Sequence, residues 1–133
     1  MPHLNWMAVF AAALSTFIIG GIWYSPALFG RQWMFVNKLT DSDLKNGSTL
    51  KIFGLSFVFA LLMAANLAAF LADAKTNTLW GATAGFLAGF GWVTLSIATI
   101  ALFERRPWKY ALINGGYLTV AFTVMGLILG AWR

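Results

Sequence analysis

The residue types that usually carry out catalysis are scarce in this chain of 133 residues. It contains no cysteine, four acidic residues and a single histidine, His3. Metal sites and nucleophile–base pairs are assembled from Cys, His, Asp and Glu, so neither can be built here from ordinary parts. We interpret His3 as an exposed terminal side chain. We therefore expect no enzymatic activity, no metal and no cofactor.

Two residues near apolar stretches could be taken for reactive groups. Ser25 lies directly before Pro26, and this pair is typical of a helix start in which Ser caps and Pro occupies the first turn. Glu104 lies beside Arg105 and Arg106, which favours an ion pair at a membrane interface over a catalytic acid. Both residues therefore have structural interpretations.

The composition is that of an integral membrane protein. The chain is 60% hydrophobic and 10% charged, whereas soluble domains are about 45–50% apolar and about 25% charged. One bilayer crossing needs roughly 20 apolar residues, so this length allows about four crossings with short links. The net charge of +5 does not indicate nucleic-acid binding, because the basic residues fall between apolar stretches rather than along one face.

Four apolar stretches are long enough to cross a bilayer, and each lacks charge in its middle. They predict a single domain of class all-α, an integral membrane four-helix bundle with spans at about 5–24, 50–72, 78–103 and 108–132. The segment 26–38 is too short and too charged to cross, and it suits an interfacial helix between the first and second spans. Residues 40–43 predict a capping box, before Asn46-Gly47-Ser48 breaks the chain.

The basic residues predict the orientation. The first and third links carry seven of them, and Lys75 and Arg133 lie on the opposite side. By the positive-inside rule, both termini are expected on the non-cytoplasmic side of the membrane. The seven are Arg31, Lys38, Lys45, Lys51, Arg105, Arg106 and Lys109. At this inner rim they are expected to contact anionic lipid headgroups; a docking rim for an anionic solute or a partner is the alternative.

Small residues predict how the helices associate, because close packing replaces the hydrophobic drive within lipid. Gly81, Gly85 and Gly89 recur every fourth residue on the third span, and a second small face includes Ala84 and Ala88. The fourth span contributes Gly126 and Gly130. Either both faces serve packing inside the monomer, or one of them meets a second copy. Under the second alternative, Gly85→Leu should dissociate the oligomer.

Two amides lie within the spans, Asn66 and Asn114, and a side-chain amide has four bonding positions that lipid cannot satisfy. They are expected either to pair between helices or to line a polar cavity together with Trp92 and Tyr117. The sequence leaves both alternatives open.

Two stretches go beyond generic membrane patterning: GGIWYSPALFGRQWM at 20–34 and FERRPWKYALINGGYLTVAFTVMGLILGAW at 103–132. With these motifs, and with LKNGSTLKIFGLSF at 44–57 and GATAGFLAG at 81–89, the chain resembles the domain-of-unknown-function 1761 family over nearly its whole length. The resemblance implies a small bacterial membrane protein with four spans, and it transfers no activity. It draws attention to an interfacial motif made of Trp23, Tyr24, Ser25, Pro26, Trp33, Glu104, Arg105, Arg106 and Trp108.

The expected role is that of an oligomeric structural or interaction module in the bacterial inner membrane, with lipids and a second copy as partners. The motivation is the pair of small-residue faces on the third span. The alternatives are a passive channel or carrier for a small neutral or anionic solute, motivated by the two amides and the basic rim, and a protein that binds a lipid or an apolar small molecule.

Overall fold

A computed structural model of the chain describes residues 4–45 and 49–133. His3 and the break expected at Asn46-Gly47-Ser48 lie outside these residues. Within them the chain is helical and has no strand. The helices are α1 Trp6–Trp23, α2 Gly30–Val36, α3 Asp41–Lys45, α4 Thr49–Phe70, α5 Thr78–Ala88, α6 Leu95–Phe103 and α7 Trp108–Ala131, with a π-helical segment, Gly89–Thr94, between α5 and α6.

Four of these helical stretches are long and apolar enough to cross a membrane, which confirms the all-α four-helix prediction. Their bounds are Trp6–Trp23, Leu50–Phe70, Thr78–Phe103 and Trp108–Ala131. Each bound lies within two residues of the one that hydropathy predicts, because the run of apolar residues sets the length of a span directly.

The helix start predicted at Ser25-Pro26 is wrong. Residues 24–29 form turns and α2 begins only at Gly30. The Ser25 hydroxyl donates to the Ile22 carbonyl (2.7 Å) instead of capping, and its own carbonyl accepts from the Gly30 N–H (3.0 Å). Ser25 therefore closes the end of α1. The capping box before α3 is confirmed, since Thr40 and Asp43 exchange backbone-to-side-chain hydrogen bonds of 2.9 and 3.2 Å.

Helix α7 is the centre of the arrangement. It packs against the composite third span, α5 to α6, on one side and against α1 on the other, and α4 packs mainly on α1. The core is built largely from small side chains, such as Ala8 and Ala12 of α1 and Ala60 and Ala64 of α4. Although a short link joins α4 to α5, a groove of about 450 Å³ runs between these two helices.

The π-helical segment keeps one face of the third span against α7. Gly81, Gly85 and Gly89 contact α7 at steps of four residues, and the next contact on this row, Thr94, follows after five. A π-helical turn is wider than an α-helical turn by about one residue, so it absorbs this extra step. Thr94 then donates to the Gly115 carbonyl at 2.8 Å.

Candidate functional site

The two motifs that carry the family resemblance meet where α1 ends. The Tyr24 hydroxyl donates a hydrogen bond to Oδ1 of Asn114 (2.7 Å), and the indole N–H of Trp23 donates to the Ile113 carbonyl (2.9 Å). Both bonds join residues 90 positions apart in the chain. The end of α1 is therefore bonded to the first half of α7.

Close backbone approach makes this junction possible. A Cβ atom at Gly116 would lie 2.8 Å from the Trp23 ring, so only glycine leaves room for the indole. One turn along α1, Gly20 lies under the Tyr117 ring, and the Tyr117 hydroxyl donates to the Thr16 carbonyl at 3.0 Å. The part of α7 that receives α1 thus lies within the second of the two motifs, at 103–132.

The chain then folds back so that α2 covers the same junction. Tyr24 packs edge-to-face on Trp33 of α2 and on Tyr117 of α7, with centroid distances of 5.6 and 5.4 Å. Trp23 packs on Phe29 at 4.8 Å. We name these five side chains the aromatic cluster: Trp23, Tyr24, Phe29, Trp33 and Tyr117. Its tyrosine hydroxyls are already bonded, which indicates a structural joint rather than a reactive site.

Arg106 connects α2 to the turn before α7. Its guanidinium donates to Oδ1 of Asn37 (3.1 Å), pairs with Glu104 (3.2 Å) and lies 4.6 Å from the centre of the Tyr110 ring. The Asn37 amide in turn donates to the Trp33 carbonyl at 2.9 Å. The preceding Arg105 has a positive φ of 57°, which produces the tight turn before Pro107. Arg31, Lys38, Arg105, Trp108 and Lys109 are exposed around this end.

The glycine row of the third span faces α7 of the same chain. A Cβ at Gly85 would lie 2.1 Å from the Phe122 carbonyl oxygen, and one at Gly126 would lie 2.0 Å from the Gly81 carbonyl oxygen. Gly130 meets the Asn77 carbonyl in the same way. Backbone therefore touches backbone along this contact, and no second copy can use this row while the monomer keeps its fold.

The four residues expected to line a polar cavity do not come together. Asn114 and Tyr117 lie between α1 and α7, where their side chains are bonded within the chain. Asn66 is exposed on α4, and Trp92 is 69% exposed on the composite third span. For Asn114 the structure shows pairing between helices. For Asn66 it shows neither of the two alternatives.

A family model described as "Protein of unknown function (DUF1761)" matches residues 7–130. The chain belongs to the DUF1761 family. The match includes both motifs whose side chains form the aromatic cluster. Comparison with curated proteins and with solved structures gives no match.

One face of this DUF1761 protein carries polar side chains that the fold does not satisfy. Ser56 and Asn66 on α4 and Trp92 on the third span are exposed, and within the described part of the chain their side chains have no hydrogen-bond partner. Between α4 and α5 lies the groove, with one wall formed by Leu67, Phe70 and Leu71 and the other by Trp80, Ala84, Leu87, Ala88, Gly91 and Trp92. Sequence reasoning identified Asn66 and Trp92 but did not predict that the fold leaves both side chains unpaired.

The opposite end of the DUF1761 chain has a contact that sequence reasoning missed. Arg133 donates to the carbonyls of Leu71 and Asp73 (both 2.6 Å), which have no helical partner because α4 ends there. The Asn5 amide donates to the Trp132 carbonyl at 3.3 Å. Beside these bonds lies an open pocket of about 110 Å³. A terminal arginine gives no sequence signal for this role.

Proposed function

We propose that this protein is an oligomeric interaction module of the bacterial inner membrane, without enzymatic activity and with both termini outside the cytoplasm. The observation that carries the proposal is the position of Asn66, which is exposed on a membrane-spanning helix and unpaired within the described residues. An unsatisfied amide in hydrocarbon is costly, so a partner in the membrane that supplies its hydrogen bonds is favoured.

The contrast with Asn114 supports this proposal. Both amides lie on spans of similar hydropathy, but Asn114 is half-buried and accepts the Tyr24 hydroxyl proton within the monomer. The same fold leaves Asn66 on its outer surface. Asn66 is therefore available for a bond between subunits, whereas Asn114 is not.

The direct test is native mass spectrometry of the protein released from lipid nanodiscs, which reports the number of subunits and any retained molecule together. The wild-type protein should be released mainly as a dimer or larger oligomer. A monomer at all protein-to-lipid ratios would refute the proposal.

A matched pair of variants tests the role of the amide. Asn66→Leu removes the unpaired group and should weaken association about 3- to 20-fold, the range expected for one interhelical hydrogen bond in a membrane. Thr99→Val removes an exposed hydroxyl that already donates to the Leu95 carbonyl of its own helix (2.8 Å), so it should leave association unchanged. Equal behaviour of the two variants would contradict the proposal.

A second candidate function is the binding of one apolar molecule, and the groove between α4 and α5 favours it. Pockets for small molecules are mostly apolar with few polar groups, and this groove has apolar walls with Trp80 and Trp92. A stoichiometric non-lipid molecule retained in native mass spectra, and lost from Gly91→Leu, would support this candidate. A bare protein would count against it.

A further inference from the structure

The hydrogen bonds of polar side chains within the spans divide the molecule into two sides. On the side of α1 and α7, hydroxyl and amide groups bond to their own helix or across to a neighbour; examples are Thr16, Tyr117 and Thr123. Beyond the first turn of each span, Ser56, Asn66 and Trp92 are the polar residues for which the described part of the chain supplies no partner. All three lie on α4 or on the composite third span, the two elements that border the groove, and Trp92 lines the groove itself.

That face carries the spacing of a helix–helix contact. Six residues of α4 recur at alternating steps of four and three, which is the period of two helices packed at a small left-handed angle. Phe59 and Phe70 of this row are 57% and 71% exposed. Phe70 also lines the groove, so the row continues directly into it. We name the row the α4 stripe: Ile52, Ser56, Phe59, Met63, Asn66 and Phe70.

We propose that the α4 stripe, together with the adjoining groove, binds the same surface of a second copy of this chain. This inference rests on the proposed function and specifies the partner and the surface. The biased distribution of basic residues gives every copy the same orientation, so the two copies are related by an axis along the membrane normal. Residues that meet across such an axis lie at the same depth in the bilayer.

Each unpaired group can bond only to a group of the second copy that lies at the same depth in the bilayer. At the same depth as Asn66 lies Asn66 of the second copy. A side-chain amide has both donors and acceptors, so two amides satisfy each other across a two-fold axis. One copy alone does not provide this bond.

Ser56 and Trp92 also lie at one depth. Ser56 is fourteen residues from Phe70, where α4 ends, and Trp92 is fourteen residues from Thr78, where α5 begins. At 1.5 Å per α-helical residue, each lies roughly 20 Å from that end of the bundle, although residues 89–92 before Trp92 are π-helical. The Trp92 indole is a donor, and the Ser56 hydroxyl is an acceptor. Because the two groups do not bond within one copy, we expect each Trp92 to donate to the Ser56 hydroxyl of the second copy.

Because the chain contains no cysteine, single-cysteine variants can map this contact in native membranes. Phe59→Cys and Met63→Cys place a thiol on the α4 stripe, and oxidation with copper phenanthroline should convert them to disulfide-linked dimers. Val58→Cys is the matched control, since Val58 is also exposed on α4 but lies off the stripe. Leu112→Cys tests the exposed side of α7. The stripe variants should cross-link at least tenfold faster than either control.

Double variants test whether the polar side chains contribute to this contact. In the Phe59→Cys background, adding Asn66→Leu or Ser56→Ala should slow cross-linking at least threefold, whereas adding Thr99→Val should not. Cross-linking through Leu112→Cys or Val58→Cys but not through the stripe would overturn the inference and leave the oligomeric function intact. A monomeric mass spectrum with no cross-link in any variant would overturn both, and a retained non-lipid molecule without stripe cross-links would assign the groove to a ligand instead.

Discussion

The Tyr24 hydroxyl and the Asn114 side chain, 2.7 Å apart, join the end of the first membrane span to the interior of the last. Around this bond, Tyr24 also packs on Trp33 and Tyr117, so three separate parts of the chain meet at one side chain. The two most distinctive stretches of the sequence are therefore two halves of a single joint. A joint of this kind connects α1, α2 and α7, whereas one side of α4 is exposed.

Loss of the bond between Tyr24 and Asn114 should destabilise the monomer. Tyr24→Phe is expected to lower the free energy of unfolding by about 0.6–1.7 kcal/mol, from the average to the largest value measured for hydrogen bonds between helices in membranes. Unfolding in mixed micelles would measure it, and a double-mutant cycle with Asn114→Ala should show that the two changes are not additive. Ser15→Ala is the control, because that hydroxyl bonds only to the Ala12 carbonyl of its own helix (2.6 Å). A loss in the control as large as in Tyr24→Phe would contradict the assignment.

Alanine should be tolerated at some glycines of the spans and not at others. Gly126→Ala and Gly85→Ala would press a methyl group against backbone carbonyls, and we expect each to cost about 1–3 kcal/mol or more of monomer stability. Gly54→Ala and Gly91→Ala are controls, since a Cβ at either position has no neighbour within 4 Å. Thermal melts in detergent would separate the two pairs. Equal melting temperatures would contradict the backbone contact between α5 and α7.

Because Gly85 packs against α7 of its own chain, Gly85→Leu does not test association between copies. Loss of oligomer in that variant would report a misfolded monomer, because Gly85 contacts Phe122 of the same chain. The Asn66→Leu variant tests association without touching the core, since Asn66 is exposed.

Arg106 should hold α2 against the bundle without adding much global stability. Arg106→Gln removes the contacts with Asn37, Glu104 and Tyr110, and because these groups lie at the surface the free energy of unfolding should change by about 0.5 kcal/mol or less. Trypsin should nevertheless cleave faster after Arg31 and Lys38, since α2 loses its connection. Arg105→Gln, the neighbouring change, should leave the cleavage rate as it is. Equal rates in the two variants would argue against this role of Arg106.

The basic residues should set a single orientation in the membrane. Alkaline phosphatase fused after Arg133 should be active, and green fluorescent protein fused there should be dark, because both termini are expected outside the cytoplasm. A phosphatase inserted in the link after α2 should be inactive, since that link carries basic residues such as Arg31 and Lys38. The opposite pattern at either place would overturn the orientation, and a mixture of both patterns would remove the shared orientation on which the pairing of two copies rests.

Local patterns were sufficient for the spans and for the capping box at Thr40. They were not sufficient at Ser25, because a Ser-Pro pair is compatible both with the start of a helix and with a turn that ends the previous one. The choice depends on which carbonyl is within reach of the hydroxyl, and Ile22 of α1 is the one available. The π-helical segment also depends on tertiary contacts. The five-residue step from Gly89 to Thr94 is set by the position of α7.

The candidate site was likewise only partly predictable from the sequence. The motifs around Trp23 and Asn114 were visible in the sequence as unusual residues, but the bond pattern that makes them one joint required the packed helices. Asn66 and Asn114 are chemically identical in the sequence. Only the direction in which each faces separates a bond inside the monomer from an unpaired group on the surface.

The sequence by itself determined the number, length and limits of the membrane spans and the membership in a family, because apolar length and local residue order are properties of contiguous chain. The tertiary structure alone decided that the glycine row is used inside the monomer and that the α4 stripe is left open. The physical reason is that small or polar residues lie on several faces of every span, and only close packing between particular helices determines which faces are filled.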